Sequence, residues 1–313
     1  MNVVVQMVLL VVGFVMLVKG ADWFVEGASK LAEKLGIPQL VIGLTIVAMG
    51  TSLPEAAVSV SAALKGSAEI TIGNVVGSNI MNILLILGIS AVISPLMVQK
   101  STVKYELPMV IGVSVALAGL GLSDGVVGRL DGIILILGLV LYLLYLLQMA
   151  KKGLAVIEEG EKADADDNIW KLLALIVIGG VLIVWGSDIT VDAATELARI
   201  FGMSERLIGL TIVAFGTSLP ELVTSATAAI KGKADIAVGN IVGSNLFNIL
   251  FVVGVSAVIT PVVYQGDFLV DSVVCILAAV LLWICVCRKE KLQRAGGALM
   301  LACYAAYFVY LIH

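Results

Sequence analysis

Glu55 and Glu221 each close an identical Gly-Thr-Ser-Leu-Pro-Glu stretch, and each lies well inside a long apolar run. None of the other acidic residues, of 23 in all, reads that way. An ionised carboxylate at the centre of a hydrocarbon layer costs about 3 kcal/mol even on permissive scales, so it is normally paired or faces a hydrated path. No Lys or Arg lies at that depth in either run, which leaves a bound cation or a bound proton as the partner.

The flanking residues bear on that choice. Pro54 and Pro220 cannot donate to the carbonyls of Gly50 and Gly216, so both helices are expected to break there and expose carbonyl oxygens in the turns 48–51 and 214–217. Ala48, Thr51 and Ser52 precede Glu55 by seven, four and three positions, along one helical face; Ala214, Thr217 and Ser218 stand in the same relation to Glu221. A neighbouring apolar stretch adds Ser78, Asn79 and Asn82, matched later by Ser244, Asn245 and Asn248. Interhelical hydrogen bonding is the plain alternative for any single Ser, Thr or Asn among them. Together, two carboxylates with neutral hydroxyls, amides and carbonyls form an all-oxygen donor set suited to hard cations such as Ca²⁺ or Na⁺, without the soft ligands that favour zinc or copper. Two negative charges balance one Ca²⁺. The same pocket could instead hold several Na⁺, and charge repulsion would make the two ions exclude each other.

Composition fixes the medium that surrounds these residues. Of 313 residues, 60% are hydrophobic and 13% charged, with a mean hydropathy of +1.11, so lipid is the solvent for most of the chain. Nothing suggests a nucleic-acid partner, a cofactor or an obligatory protein partner. The four cysteines, Cys275, Cys285, Cys287 and Cys303, lack CxxC spacing and read as packing thiols. His313 is the only histidine, which removes the base of a serine-histidine triad and argues against a hydrolase or any other enzyme. The N-terminus runs straight into apolar sequence with no basic region or cleavage pattern, so the first stretch is expected to be a retained helix.

Apolar runs predict ten spans, near 3–18, 37–64, 70–95, 107–123, 130–149, 171–187, 203–230, 236–261, 268–287 and 295–312. The loops on one side hold fifteen Lys and Arg, those on the other four. The positive-inside rule therefore puts both termini outside and the 151–170 loop in the cytoplasm of a multi-pass cell-membrane protein. That loop carries Asp164, Asp166 and Asn168 at the first spacings of an EF-hand, but Ile169 and Leu175 occupy the positions of its Gly and bidentate Glu, so it reads as a solvated linker.

The chain also repeats itself. GLTIVAMGTSLPEAAVS at 43–59 returns at 209–225 as GLTIVAFGTSLPELVTS, and GNVVGSNIMNILLILGISAVISP at 73–95 returns at 239–261 as GNIVGSNLFNILFVVGVSAVITP, both displaced by 166 residues without a gap. Residues 1–150 form a first five-helix repeat, 151–170 a cytoplasmic linker and 171–313 a second repeat. With five spans in each, the second half enters the membrane inverted. The expected fold is an all-α integral membrane protein of ten transmembrane helices in two inverted five-helix repeats, with broken helices at the midplane. Such architecture suits alternating access around a shared central site. A channel with a Glu ring fits poorly, because its pore would normally come from rotationally related subunits.

At these motifs the sequence resembles the calcium/cation antiporter superfamily, in particular its prokaryotic sodium/calcium exchangers, whose paired repeats read GTSLPE followed by GSN. The resemblance covers essentially the whole chain. It implies exchange of Ca²⁺ for Na⁺, with the bilayer and these two ions as partners, and sliding of the first and sixth helices past an eight-helix core. Carried onto matching positions, it implies as ion ligands Glu55, Thr51, Ser52 and the Ala48 carbonyl, Glu221, Thr217, Ser218 and the Ala214 carbonyl, and Ser78, Asn82, Ser244 and Asn248. Some members have Asp in place of Asn248, an acid this chain lacks, which bears on stoichiometry and weakens K⁺ co-transport. A proton/calcium antiporter is the alternative; proton-coupled relatives resemble Gly-Asn-Ala-Ala-Glu at the motif and lack the hydroxyls of Thr51, Ser52, Thr217 and Ser218.

Overall fold

The computed structural model of the chain describes residues 3–68, 70–152, 168–202, 214–266 and 268–312. The first half contains α1 (Val3–Leu35), α2 (Gln39–Thr51), α3 (Leu53–Leu64), α4 (Ile70–Ile93), β1 (Leu96–Met97), α5 (Thr102–Asp124), β2 (Val126–Val127) and α6 (Arg129–Lys152). The second contains α7 (Ile169–Ile200), a single turn at Ala214–Gly216, α8 (Leu219–Ile230), α9 (Ala234–Ile259), β3 (Val262–Val263), α10 (Phe268–Val286), β4 (Lys291–Leu292) and α11 (Arg294–Ile312). Among the described residues eight helices are long and apolar enough to cross a membrane, and the bent pair α2–α3 makes a ninth. The protein is thus helical and membrane-embedded. Of the seventh expected span, 203–230, residues 203–213 lie outside the described residues, as do 153–167 of the linker and His313.

Two expected spans were too short. The apolar count stops α1 at 18 and α7 at 187, yet the helices run for 33 and 32 residues, about 50 Å against a hydrocarbon core of about 30 Å. Lys19, Lys30 and Lys34 therefore sit on α1 itself, and Asp188, Asp192 and Arg199 on α7, where hydropathy alone had assigned loops. Charges interrupt an apolar run without ending a helix. Glu26 and Lys30 pair at 3.0 Å across one turn, and α1 stops only at Gly36, whose φ of 64° a side-chain-bearing residue rarely adopts. Lys231 and Lys233, in the turn after α8, reach back to α1 and pair with Asp22 at 2.6 Å and Glu33 at 3.5 Å.

α1 and α7 pack antiparallel so closely that a side chain would not fit at the glycines between them. A Cβ placed on Gly20 would stand 2.8 Å from the Gly179 carbonyl oxygen, and one on Gly179 would stand 2.8 Å from that of Gly20; Gly13 and Gly186 face each other's carbonyls in the same reciprocal way at 2.9 Å. Gly179 and Gly186 are the repeat counterparts of Gly13 and Gly20, so each glycine meets the counterpart of the other. Without a hydrophobic force between helices in lipid, such small-residue seams supply the dispersion contact that holds them together.

The strand pairs show the same exchange. β1 pairs antiparallel with β4 (Leu96↔Leu292) and β2 with β3 (Val126↔Val263), so each half's strands are tied only to the other half's. These two-residue pairs are the one departure from an all-helical chain among the described residues. α4 and α9 form the centre of the bundle and are its most buried spans. Both widen into a π-helical turn at corresponding places, Met81–Leu87 and Asn248–Val253, a local irregularity often found at functional sites.

Candidate cation site

The expected helix breaks are present. α2 and α3 meet at an angle of 49°, with Ser52 outside helical geometry between them (φ −83°, ψ 9°). Ser218 does the same before α8 (φ −90°, ψ 4°). Each break puts a proline and then a glutamate in the first turn of the following helix, near the positive end of its dipole. Ser187 on α7 donates to the carbonyl of Gly216 at 2.8 Å, the group that Pro220 leaves without its helical donor. The Ala48 carbonyl, by contrast, accepts from the Ser52 amide at 3.1 Å and from the Ser244 hydroxyl at 3.3 Å.

Glu55 and Glu221 are both fully buried, with 0% exposure. Their hydrogen bonds cross between the halves. Ser52, three residues before Glu55, donates to Glu221 Oε1 at 2.8 Å; Ser218, three before Glu221, donates to Glu55 Oε1 at 3.3 Å. Ser78 adds a donor to Glu55 Oε1 at 3.4 Å and lies 3.4 Å from Ser218. Among the described residues no Lys or Arg pairs with either carboxylate.

Across α4 and α9, Asn82 donates to Asn245 Oδ1 at 2.9 Å and Asn248 to Asn79 Oδ1 at 3.1 Å. Each bond uses one of the two amide hydrogens and leaves the amide oxygen without a donor. Four buried acceptor atoms end without a protein donor: Glu55 Oε2, Glu221 Oε2, Asn82 Oδ1 and Asn248 Oδ1. Buried acceptors are ordinarily satisfied, and an unpaired buried carboxylate is strongly disfavoured. A donor set made of oxygen lone pairs, two of them on carboxylates, is completed by a hard cation better than by another hydrogen bond.

Thr51, Ser52, Glu55, Ser78, Asn82, Ser218, Glu221, Ser244 and Asn248 are all buried; hydrogen bonds join Ser52, Glu55, Ser78, Ser218 and Glu221 in one cluster, Thr51 and Ser244 at the Ala48 carbonyl, and Asn82 and Asn248 with Asn245 and Asn79. Thr217 is half-exposed, and Ala214 opens the turn before α8. Asn79 and Asn245 serve each other and the adjacent asparagines. Sequence reading missed four supporting residues. Asn240 lies 3.0 Å from Thr51 and 2.9 Å from Ser225; Asn74 donates to Ser59 at 2.9 Å and to the Glu55 carbonyl at 3.1 Å. Asn74 and Asn240 belong to the repeated Gly-Asn-x-Val-Gly-Ser-Asn stretch, so their matched positions were the available signal.

It also missed a third buried carboxylate. Glu106 was placed just outside a span beginning at 107, but α5 starts at Thr102 and Glu106 is fully buried, accepting the Tyr145 hydroxyl from α6. Asp235, buried at the start of α9, accepts from Gln99 at 2.9 Å. Among the described residues Glu106 is bonded to Tyr145, away from Glu55 and Glu221.

Comparison with known proteins agrees with this fold. The family model described as sodium/calcium exchanger protein matches residues 5–148 and again 171–313. The inner membrane protein YrbG of Escherichia coli K12 is 41% identical over 303 residues, covering 93% of this chain and 92% of its own. The sodium/calcium exchanger MaX1 of Methanosarcina acetivorans is 32% identical, covering 99% of each chain. Among solved structures, the sodium-calcium exchanger NCX_Mj soaked in 10 mM Na⁺ without Ca²⁺ superposes with a TM-score of 0.85 at 32% identity, over 98% of this chain and 99% of that one. The protein belongs to the sodium/calcium exchanger family, and is a multi-pass membrane transport protein, not an enzyme.

Proposed function

We propose that the chain is a secondary active antiporter that exchanges Ca²⁺ for Na⁺ across the cytoplasmic membrane by alternating access. Its ten spans form two inverted five-helix repeats, residues 1–150 and 171–313, joined by the cytoplasmic linker 151–170, with both termini outside. Reciprocal packing of α1 against α7, and of each half's strands against the other's, supports two-fold related halves. The transported ions bind at Glu55 and Glu221, with Thr51, Ser52, Ser78, Asn82, Thr217, Ser218, Ser244 and Asn248 and the carbonyls of Ala48 and Ala214 as neutral ligands.

The observation that carries this reading is the pair of fully buried carboxylates that no Lys or Arg pairs with among the described residues, each with one oxygen left unpartnered, together with the unpartnered amide oxygens of Asn82 and Asn248. One Ca²⁺ neutralises both carboxylates. Na⁺ must instead replace its hydration shell with several neutral oxygens at once, which the hydroxyls beside each glutamate supply. A proton needs only one basic atom, so this wealth of hydroxyls favours sodium as the coupling ion. The test is flux in proteoliposomes at symmetric pH with the voltage clamped by an ionophore. A Na⁺ gradient directed outward should drive ⁴⁵Ca²⁺ uptake, and a pH gradient alone should not; uptake that follows pH and ignores Na⁺ would replace this reading with proton/calcium antiport.

A further inference from the structure

We infer that Asn240 is a positioning residue for sodium, acting through the hydroxyl of Thr51; this rests on the exchanger reading above. A hydroxyl ligates a cation through oxygen lone pairs, which requires its hydrogen to point elsewhere. Thr51 Oγ1 has two acceptors within 3.5 Å, Asn240 Oδ1 at 3.0 Å and the Ala48 carbonyl at 3.3 Å, and the Glu221 carboxylate also faces it. Which of them takes the single proton determines what faces the site. A proton on the Asn240 side leaves both Thr51 lone pairs, and a less encumbered Ala48 carbonyl, for the ion.

The surrounding bonds fix that choice. Ser225 Oγ donates to the carbonyl of Ala237 at 3.4 Å, so towards Asn240, 2.9 Å away, it acts as acceptor. The amide of Asn240 must therefore direct Nδ2 at Ser225 and Oδ1 at Thr51, and an amide oxygen facing a hydroxyl accepts its proton. Asn240 and Ser225 are fully buried and Thr51 is 1% exposed, so no bulk water competes for these groups. The repeat counterpart differs. Asn74 points its Nδ2 at Ser59, the counterpart of Ser225, but its further contact is the main-chain oxygen of Glu55 at 3.1 Å, and among the described residues Thr217 makes no bond to it. The two threonines of the repeated motif are thus unequal: only Thr51 is held by an asparagine from the opposite half.

Loss of this device should affect Na⁺ more than Ca²⁺, because neutral oxygens are a larger share of what binds a monovalent ion, while Ca²⁺ is dominated by the two carboxylates. In proteoliposomes, Asn240→Ala should raise the Na⁺ concentration for half-maximal Ca²⁺ release about three- to ten-fold, the size of one net hydrogen bond, and shift Ca²⁺ half-saturation less than about two-fold. Thr51→Val should do the same, and the double variant should add nothing further, since coupled residues are non-additive. Ser225→Ala, which frees the amide to turn, should give a smaller change in the same direction, and it carries the test by the same criteria if Asn240→Ala fails to fold. Retained stabilisation of the detergent-purified variants by Ca²⁺ verifies folding apart from transport. Additive losses in the double variant, or equal shifts for both ions, would overturn the inference. A wild type that ignores Na⁺ would sink the exchanger reading itself, whereas a responsive wild type with an unchanged Asn240→Ala sinks only the role of Asn240.

Discussion

Asn79 and Asn245, 166 residues apart, donate to each other's main-chain carbonyls, at 3.2 Å and 3.3 Å. The offset is the repeat offset, so the two residues are counterparts meeting face to face, as they must if they lie beside a two-fold axis relating the halves. Their side-chain oxygens then accept from Asn248 and Asn82. Four amides thus form a chain, Asn248–Asn79–Asn245–Asn82, in which every hydrogen bond has a reciprocal partner. The chain anchors α4 to α9 and leaves the oxygens of Asn82 and Asn248 as unspent acceptors.

The carboxylates carry the first prediction. Glu55→Gln or Glu221→Gln removes half the fixed charge of the proposed pocket while keeping its shape and the hydrogen bond from Ser218 or Ser52. Calcium flux in proteoliposomes should fall by more than about 100-fold, consistent with the roughly 3 kcal/mol or more at stake when one member of a buried charge pair is lost. Expression should be unimpaired, because a neutral amide is easier to bury than a carboxylate. Near-normal flux in either folded variant would remove that glutamate from the site.

The seam between α1 and α7 gives a prediction on stability. Gly20→Leu would drive its side chain into the Gly179 carbonyl and Ile183, an overpacking expected to destabilise by about 1–3 kcal/mol. A Cβ on Gly119 of α5 meets nothing within 4 Å, so Gly119→Ala should be neutral, or stabilising by up to about 1 kcal/mol from helix propensity. Thermal unfolding of both variants in one detergent decides it: equal melting temperatures would mean that the helices are not held by this contact.

How much of this was legible from sequence depended on whether a feature shows as residue type or as geometry. The glutamates stood out because a carboxylate in an apolar run has so few innocent explanations, and the break before each followed from a proline's missing donor. The long course of α1 did not show, since hydropathy registers Asp22, Glu26 and Lys30 as an interruption while the backbone carries on through them to Gly36. Glu106 is missed for a related reason: a span boundary at the acidic residue excludes it, but a Tyr145 hydroxyl from another helix gives the buried carboxyl a hydrogen-bond partner. The role of Asn240 was invisible because it depends on which end of an amide faces Thr51, which no spacing encodes.

Orientation is testable at Asn168, the exposed N-cap of α7. The lopsided distribution of Lys and Arg predicts that it lies on the cytoplasmic side. With Cys275, Cys285, Cys287 and Cys303 replaced, Asn168→Cys should resist a membrane-impermeant maleimide in intact cells and react in inside-out vesicles. Labelling in intact cells would reverse the topology.

Asn248 ends the chain of amides with an unpartnered oxygen, and its proposed role as an ion ligand can be tested. In Asn248→Asp the Nδ2 donor that serves Asn79 Oδ1 at 3.1 Å becomes a carboxylate oxygen, so two acceptors confront each other in a buried place and a third negative charge joins Glu55 and Glu221. Without a cation, the lost hydrogen bond and the repulsion together should lower stability by about 1–3 kcal/mol. A bound cation reverses the sign: the added carboxylate becomes a ligand, and a site with more negative charge is stabilised more strongly by the ion it binds. The purified variant should therefore melt below the wild type in a chelator, and the rise in melting temperature on adding saturating Ca²⁺ should be larger than the wild-type rise. If Ca²⁺ stabilises both proteins equally, Asn248 does not face the transported ion, and its unpartnered oxygen belongs to the helix packing alone.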